Sequence, residues 1–303
     1  MNVAETLRIG TRGSKLALYQ AEQVREGLLT LFPQLRVELT VYKTLGDRQP
    51  NLDLIANQGK GVFCSDLEQA LLASEIDLAV HSVKDLPGVL QPGLTLGAYL
   101  QREDPREVLV GRNGWDLATL PQGARVGTSS LRRLFQLRQL RPDLDFQPIR
   151  GNVETRVRKV VDGQYDATVL ALAGLRRLGM EDCISQVFEL AELIPAPGQG
   201  CIGVEVRSNN WSALEKLTAI NHVPTALMVR AERAFLRRLG GNCRSAYGAV
   251  ARWRDEEVQL TGLYNGLIRT LTNVAVNPER IGNLLAEALL ALDDPSEPGR
   301  GVG

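Results

Sequence analysis

Cysteine and histidine are scarce in this sequence, which argues against several kinds of site. The 303 residues contain four cysteines that lie far apart in the chain: Cys64, Cys183, Cys201 and Cys243. This spacing fits neither a disulfide framework nor a thiolate metal site. The two histidines, His81 and His222, are too few for a histidine-rich metal site, and we expect no metal. Widely separated cysteines favour a reducing, cytoplasmic compartment.

Long apolar runs, aromatic side chains and net charge are also low or missing. No run approaches the ~20 apolar residues of a membrane span. The N-terminus enters a strand pattern at once, without the pattern of a signal peptide. The formal net charge is zero, aromatic residues make up 5% of the chain, and no basic run is present. These features argue against a membrane or a nucleic acid as a partner.

Arginine, by contrast, supplies 29 of the 35 cationic residues. Many of these arginines lie in turns beside Gly, Ser and Thr, as in segments 12–14, 128–133 and 150–156. A codon bias towards arginine accounts for the total but not for this placement. Guanidinium is planar and always charged, and it binds carboxylate or phosphate with two hydrogen bonds where lysine offers a point charge. We interpret the pattern as a site for a small polyanion.

Alternating strand and helix patterns predict two α/β units with mainly parallel sheets. In the first unit, strands are expected at 7–12, 36–42 and 76–80. Ser14 is expected to cap a helix, and a second helix passes through Leu67, Leu71 and Leu72. The core face of the first helix is expected to comprise Ala17, Ala21, Val24, Leu28 and Leu31.

The second unit repeats this alternation, and a different pattern follows it. Its predicted strands are 108–110, 125–127, 145–149 and 167–171, with helices at 131–140 and 153–161. After a Pro-Gly connector and a strand at 201–206, a long helix runs from Pro224 to Leu239. Three strands follow, at 247–252, 258–264 and 268–276. A final helix is expected to bury Ile281, Leu284, Leu285, Ala288 and Leu292, which indicates a separate α+β domain.

Polar and cationic residues follow the predicted strands of both α/β units. In open α/β sheets, ligands bind beyond the carboxyl ends of the strands, where loops meet helix N-termini. Four segments fall at such ends: 12–14, 82–85, 128–133 and 150–156. Two facing lobes would therefore form a cleft lined by guanidinium, hydroxyl and amide groups.

Asp85 and Cys243 stand out from this cationic set. Asp85 beside Lys84 is expected to stay ionised, either as a helix cap or structural ion pair, or as an anion reserved for a cation that forms during turnover. Cys243 follows a glycine turn beside Arg244, which fits a reactive thiol as well as an inert buried one. We expect His81 to be a structural hydrogen-bonding residue.

Taken together, the ordered motifs resemble the porphobilinogen deaminase family, over residues 7 to about 290. The motifs that carry the resemblance are 12–18 (RGSKLAL), 59–63 (GKGVF), 81–87 (HSVKDLP), 102–106 (REDPR), 126–133 (VGTSSLRR), 150–153 (RGNV), 173–179 (AGLRRLG), 195–201 (PAPGQGC) and the turn at Cys243. The resemblance implies two α/β lobes like those of periplasmic solute-binding proteins and a small C-terminal α+β domain. It also implies the boundaries 1–100 with 200–218, 101–199 and 219–303.

The resemblance further implies a reaction and a cofactor. The family joins four porphobilinogen molecules head to tail, with loss of ammonia, and releases the tetrapyrrole by hydrolysis. A dipyrromethane cofactor is attached by a thioether to the residue that matches Cys243. Asp85 matches the carboxylate that stabilises the cationic intermediate and holds the pyrrole N–H groups. The resemblance also implies that the protein is a monomer.

Further site residues are carried over by position. In addition to Cys243, the residues expected to bind the cofactor are Ser82, Lys84, Thr128, Ser130, Arg132, Arg133 and Gly200. Those expected to bind substrate are Arg12, Ser14, Arg150, Arg156, Arg177 and Gln199. Lys60 and Phe63 lie in a stretch that is expected to form a lid.

Three positions depart from the common family pattern, and a second function would explain part of the sequence. Ala56, Asn242 and Ala246 stand where Lys, Gly and Pro are frequent, which puts one carboxylate contact and the shape of the cysteine turn in doubt. A non-catalytic, two-lobed receptor for an anionic metabolite would explain the arginines. It would give no use for Asp85 or Cys243.

Overall fold

The computed structural model describes residues 5–43, 64–240, 246–274 and 277–293. In chain order, its strands are β1 (Thr6–Arg12), β2 (Arg36–Tyr42), β3 (Leu78–Ser82), β4 (Leu94–Tyr99), β5 (Glu107–Gly111), β6 (Arg125–Gly127), β7 (Asp145–Gln147), β8 (Ala167–Ala171), β9 (Gln186–Val187), β10 (Ile202–Arg207), β11 (Tyr247–Arg254), β12 (Glu257–Tyr264) and β13 (Leu267–Val274). Its α-helices are α1 (Lys15–Leu31), α2 (Ser65–Leu72), α3 (Leu131–Leu140), α4 (Val153–Val161), α5 (Leu172–Arg177), α6 (Trp211–Ile220), α7 (Val223–Arg238) and α8 (Pro278–Asp293). No described helix has both the length and the apolar character needed to cross a membrane.

The strands form three sheets. The first has the order β2-β1-β3-β10-β4, the second β7-β6-β8-β5-β9, and the third is the meander β11-β12-β13. After the second sheet, the chain therefore returns to the first lobe, where β10 joins the first sheet. Helices pack on the first two sheets, whereas α7 and α8 pack together and cover the third. This is the mixed α/β architecture of two lobes with a small C-terminal domain.

The expectation of mainly parallel sheets is wrong for one strand of each large sheet. β1 pairs in parallel with β2 and β3, but β10 is antiparallel to both of its neighbours. In the second sheet, β5 is antiparallel to β8 and β9. Both antiparallel strands follow a crossing between the lobes. The chain therefore enters these sheets from the opposite end.

Several boundaries and faces also differ from the sequence predictions. β3 covers 78–82 rather than 76–80, so His81 and Ser82 belong to the strand itself. In α1, Ser14 caps the helix as expected by accepting a hydrogen bond from the Ala17 amide, 3.2 Å away. Its core face includes Gln20, while Leu31 at its last turn is 51% exposed. Leu72 and Leu284 are likewise exposed at helix ends and edges rather than in the core.

One buried carboxylate joins the chain segments that connect the lobes. Glu232 on α7 accepts hydrogen bonds from both terminal guanidinium nitrogens of Arg102, at 2.6 and 3.1 Å. It also accepts from the backbone amides of Gly198, at 2.6 Å, and Ala251, at 2.7 Å. Arg102 and Gly198 lie on the two crossings between the lobes, and Ala251 lies on the third sheet. Glu232 therefore connects all three sheet units.

Candidate active site

A pocket lies where β1 and β3 end in the first lobe. It is lined by side chains that include Arg12, Ser14, Gln20, Ser82 and Asp85. Gln20 Nε2 donates to the Ser82 hydroxyl at 2.8 Å, and that hydroxyl donates to Gln20 Oε1 at 3.1 Å. Ser14 is the cap of α1, so its oxygen is partly engaged by the helix backbone. The pocket thus brings three of the predicted site residues to Asp85.

Lys84 and Asp85 form a short 3₁₀ turn, Val83–Asp85, directly after β3. Asp85 is exposed to the cleft, whereas Lys84 is half-buried. Burial lowers the pKa of Lys84 to about 8, although the neighbouring Asp85 charge acts in the opposite direction. Because burial disfavours the charged form of Lys84, a bound carboxylate would stabilise its ammonium group.

Gln199 lies behind Lys84 rather than in the cleft. Its side chain is fully buried. It accepts a hydrogen bond from Lys84 Nζ at 3.3 Å and donates one to the Pro105 carbonyl at 2.8 Å. Gln199 therefore supports Lys84 from behind, and its contact with substrate stays a prediction. Its amide orients the lysine.

Arg132 and Arg133 lie in the first turn of α3 and share one buried carboxylate. Glu107 at the start of β5 accepts from Arg132 Nη2 at 2.7 Å and from Arg133 Nη2 at 2.7 Å. Further guanidinium nitrogens donate to the backbone carbonyls of Ile194 and Val169. Burial alone would raise the pKa of Glu107, but the charges of Arg133 and Arg132 lower it to about 2. Both arginines are thus held rigidly, with one negative charge between them.

The other predicted residues of the second lobe surround this pair. Thr128 accepts from the Ser130 amide at 3.2 Å, and Ser130 caps α3. Arg156 on α4 donates from Nε to the Gly151 carbonyl at 2.8 Å. Burial, and then the charge of Arg133, lowers the pKa of Arg156 to about 10. Arg150 acts on it in the same direction, so these cations are close enough to repel one another.

Arg177 and Gly200 meet at the junction of the lobes. Arg177 Nη2 donates to the Gly200 carbonyl at 2.6 Å, and burial lowers the pKa of Arg177. Gly200 has a φ of +83°, and a Cβ there would lie 2.3 Å from the Glu103 carbonyl oxygen. Only glycine therefore allows the chain to turn here while the carbonyl faces Arg177.

The cleft carries more positive than negative charge. Lys84, Arg132, Arg133 and Arg156 act on one another electrostatically, and the carboxylates that act on them are Asp85 and Glu107. With Arg150, which acts on Arg156, the described residues place five cations beside two carboxylates here, so positive charge is in excess. Burying like charges is costly, so this arrangement favours an anionic ligand with several carboxylates.

Sequence reasoning missed the residues that support this site. Glu107 and Gln20 are both buried, yet neither belongs to a turn motif. A polar residue inside an otherwise apolar strand or helix face was the available signal. His81 was expected to be structural, and it is buried with Nε2 3.0 Å from Glu205 Oε2. Lys60, Phe63 and Cys243 lie outside the described residues, as do Ala56 and Asn242.

Comparison with known proteins covers nearly the whole chain. Two family models match: "Porphobilinogen deaminase, dipyromethane cofactor binding domain" over residues 7–215 and "Porphobilinogen deaminase, C-terminal domain" over residues 226–291. A porphobilinogen deaminase of Roseiflexus sp. (strain RS-1) is 48% identical over 291 residues, covering 94% of this chain and 96% of the relative. That of Roseiflexus castenholzii is 47% identical over 290 residues, covering 94% and 96%.

Solved structures of similar shape include a periplasmic binding protein of Salmonella typhimurium that has high arginine specificity. It is 14% identical, with a TM-score of 0.42, and the match covers 74% of this chain and 94% of that protein.

Proposed function

The chain belongs to the porphobilinogen deaminase family, and we propose that its two lobes and third domain form one catalytic cleft in which Asp85 is the catalytic residue. The enzyme is a hydroxymethylbilane synthase, a transferase of tetrapyrrole and haem biosynthesis. It condenses four porphobilinogen molecules head to tail into hydroxymethylbilane and releases ammonia. Its cofactor is a dipyrromethane.

The observation that carries the assignment of residues is the excess of positive charge around Lys84, Arg132, Arg133 and Arg156. Every porphobilinogen unit carries an acetate and a propionate, so a dipyrromethane brings four carboxylates. These would neutralise the buried cations, and the residues present therefore fit the cofactor. When bound, the dipyrromethane supplies the pyrrole carbon to which the first substrate unit is joined.

We propose the following residues as the cofactor site: Cys243 as the thioether link, with Ser82, Lys84, Thr128, Ser130, Arg132, Arg133 and Gly200. The rigid Arg132–Glu107–Arg133 arrangement supports this proposal, because it presents cationic groups whose orientation is already fixed. A preorganised guanidinium loses little conformational entropy when it binds a carboxylate. Cys243 is proposed from its position in the sequence.

We propose a second group for the substrate carboxylates: Arg12, Ser14, Arg150, Arg156 and Arg177. Arg12 and Ser14 line the pocket that also contains Asp85, which supports their role. Arg156 lies near enough to Asp85 for the carboxylate to raise its pKa. Substrate held by these cations would therefore have its reacting carbon beside an anion.

Asp85 supplies that anion. Loss of ammonia from the substrate leaves a cationic methylene-pyrrole, and the exposed Asp85 carboxylate stabilises this positive charge. A preorganised charge of this kind contributes about 3–4 kcal/mol, or 10²–10³ in rate. Lys84 and Arg156 both lie within electrostatic reach of the Asp85 carboxylate, so the anion stands among cations.

The sheet pairing supports a domain division of 1–100 with 200–218, 101–199 and 219–303. β10 completes the first sheet after the chain leaves the second, and α7 begins the third unit at Val223. We further propose that the protein acts as a cytoplasmic monomer on a small-molecule substrate, without nucleic acid. The separated cysteines support the compartment. A lid at Lys60 and Phe63 stays a prediction.

Incubation of the purified protein with porphobilinogen tests the function. Hydroxymethylbilane, or the uroporphyrin that forms when it cyclises, is expected, and the intact mass should exceed that of the polypeptide by one dipyrromethane located on the Cys243 peptide. Tight binding of porphobilinogen without product would instead support a receptor for an anionic metabolite. A dipyrromethane on another residue would overturn the assignment of Cys243.

A further inference from the structure

The loop that follows Asp85 is held by a side chain from the third domain. Arg233 on α7 donates from Nη2 to the carbonyl of Pro87 at 2.9 Å. The next residue, Gly88, lies so close to α7 that a Cβ there would be 3.3 Å from the Cα of Arg237. The loop at 85–88 therefore rests directly on α7.

Burying Arg233 at this position costs free energy. Only 7% of it is exposed, and burial lowers the pKa of its guanidinium. Among the described residues, its Nη1 is buried without a hydrogen-bond partner. A buried charge with an unmatched donor destabilises a protein, and an apolar side chain of similar length would fill the same space at less cost.

Buried acidic groups of the first lobe offset part of that cost. The charge of Glu205 on β10 favours the ionised form of Arg233. Glu205 also lies 3.0 Å from Nε2 of His81 on β3, and Glu68 on α2 lies within electrostatic reach of both. Tyr99 on β4, Arg237 on α7 and the Cys201 thiol also act electrostatically on Arg233. The guanidinium is therefore held in place by charges from several elements.

We propose that Arg233 is a positioning residue for the reaction: it fixes the Asp85 loop against α7, the helix that leads in sequence to Cys243. The hydrogen bond to Pro87 and the close packing of Gly88 fix the distance between the loop and α7. The inference rests on the proposed role of Asp85, because it concerns where that carboxylate is held. Arg233 itself lies behind the loop and acts through it.

Replacing Arg233 by Met tests this. Arg233→Met keeps the length and the apolar stem but removes the donor to Pro87. The holoenzyme should lose about ten- to hundredfold in kcat, because a displacement of about 1 Å in a reacting group has effects of that size. KM for porphobilinogen should change by less than about twofold, since the carboxylate-binding arginines stay in place. Arg233→Lys, which keeps a donor and the charge, should recover part of kcat.

Arg238→Met is the matched control. Arg238 is on α7, as Arg233 is, and its replacement removes only an exposed ion pair with Glu287 on α8, so kcat should be unchanged. Intact mass should show the dipyrromethane on every variant. A kcat for Arg233→Met equal to wild type would overturn the proposal, and so would a raised KM with unchanged kcat, which would indicate a direct contact with substrate.

A second variant guards against misfolding of Arg233→Met. Gly88→Ala places a Cβ 3.3 Å from the Cα of Arg237, which pushes the same loop away from α7, and it should also lower kcat. If both act through loop position, the double variant should lose less than the product of the two single losses. Multiplicative losses would contradict the proposal. Absence of hydroxymethylbilane from the wild-type protein would instead reject the proposed function itself.

Discussion

At the scale of single residues, the cleft depends on cationic side chains whose pKa values are lowered by burial. Lys84 has a pKa of about 8, because burial disfavours its ammonium more than Asp85 favours it. Below that value it is a cation ready for a carboxylate, and above it the free site loses one positive charge. Arg156, with a pKa of about 10, keeps its charge over the same range.

Lys84→Arg should therefore change how cofactor loading depends on pH. Apoprotein produced without porphobilinogen is expected to acquire dipyrromethane less readily as the pH rises through about 8, because neutral Lys84 no longer attracts its carboxylates. Arginine stays charged throughout. The rate of loading can be followed by intact mass, and the ratio of the variant's rate to that of wild type removes the effect of thiol ionisation at Cys243.

That ratio should rise as the pH increases from about 7 to about 9. A ratio that is constant with pH would show that the charge of Lys84 does not control loading.

At the scale of elements, Glu107 fastens the first turn of α3 to β5. Its carboxylate is completely buried, and Arg132 and Arg133 both bind it at 2.7 Å. Both partners come from one helical turn, so the strand and helix cannot shift without breaking two buried ion pairs. The orientation of the two guanidinium groups is therefore built into the packing of the second lobe.

Glu107→Gln should destabilise the protein by roughly 3 kcal/mol, because it leaves two buried guanidinium groups without a counter-charge. Urea denaturation would show this as a lower midpoint. The matched control is Glu189→Gln in the same lobe, which removes an exposed carboxylate paired with Arg106 and should have little effect. Equal midpoints for the two variants would contradict a structural role for Glu107.

How far the sequence predicted the structure also depends on the element. α3 and α4 were predicted to the residue, because Ser130 and Asn152 are good caps and each helix has a regular apolar face. β4 and α6 were not predicted, although Leu94, Leu96 and Ala98 alternate in β4 and Ala213 and Leu217 share one face of α6. The direction of β10 depends on a crossing between lobes, which no local pattern records.

The site was predicted in part for a similar reason. Turn motifs point to Arg12, Asp85 and Arg156, because Arg12 ends β1, Asp85 lies in the turn after β3 and Arg156 lies in the first turn of the helix after β7. The buried partners, Glu107 and Gln199, contact residues far away in the chain, and no local pattern says which residue each of them contacts. Sequence therefore indicates which groups can meet a ligand. The structure adds which of them are already held by the protein.

At the scale of the whole molecule, the two crossings between the lobes are joined at one carboxylate. Glu232 accepts hydrogen bonds from Arg102 and from the amides of Gly198 and Ala251. Arg102 also donates to the backbone carbonyl of Gln199 at 2.9 Å, and the side chain of the same Gln199 accepts from Lys84. The relative placement of the lobes and the geometry of the cleft are thus coupled through buried polar contacts.

Glu232→Gln should loosen both crossings, because Arg102 would lose its buried counter-charge. Limited digestion with trypsin is expected to cleave the variant faster after Arg102 or Arg106, giving fragments that separate the lobes. Glu279→Gln on α8 is the control, since it breaks only the exposed pair with Arg230 on α7, the helix that carries Glu232. Identical digestion of wild type and Glu232→Gln would show that the crossings do not depend on this carboxylate.

The most direct test of the account is the intact mass of loaded enzyme after a brief exposure to a few equivalents of porphobilinogen, compared between wild type and Asp85→Asn. Asparagine keeps the size of the side chain but removes the negative charge that the reaction requires. Wild type should show a ladder of masses rising by one substrate unit less ammonia. Asp85→Asn should remain at the mass of the dipyrromethane form, and a ladder formed by that variant at the wild-type rate would contradict the account.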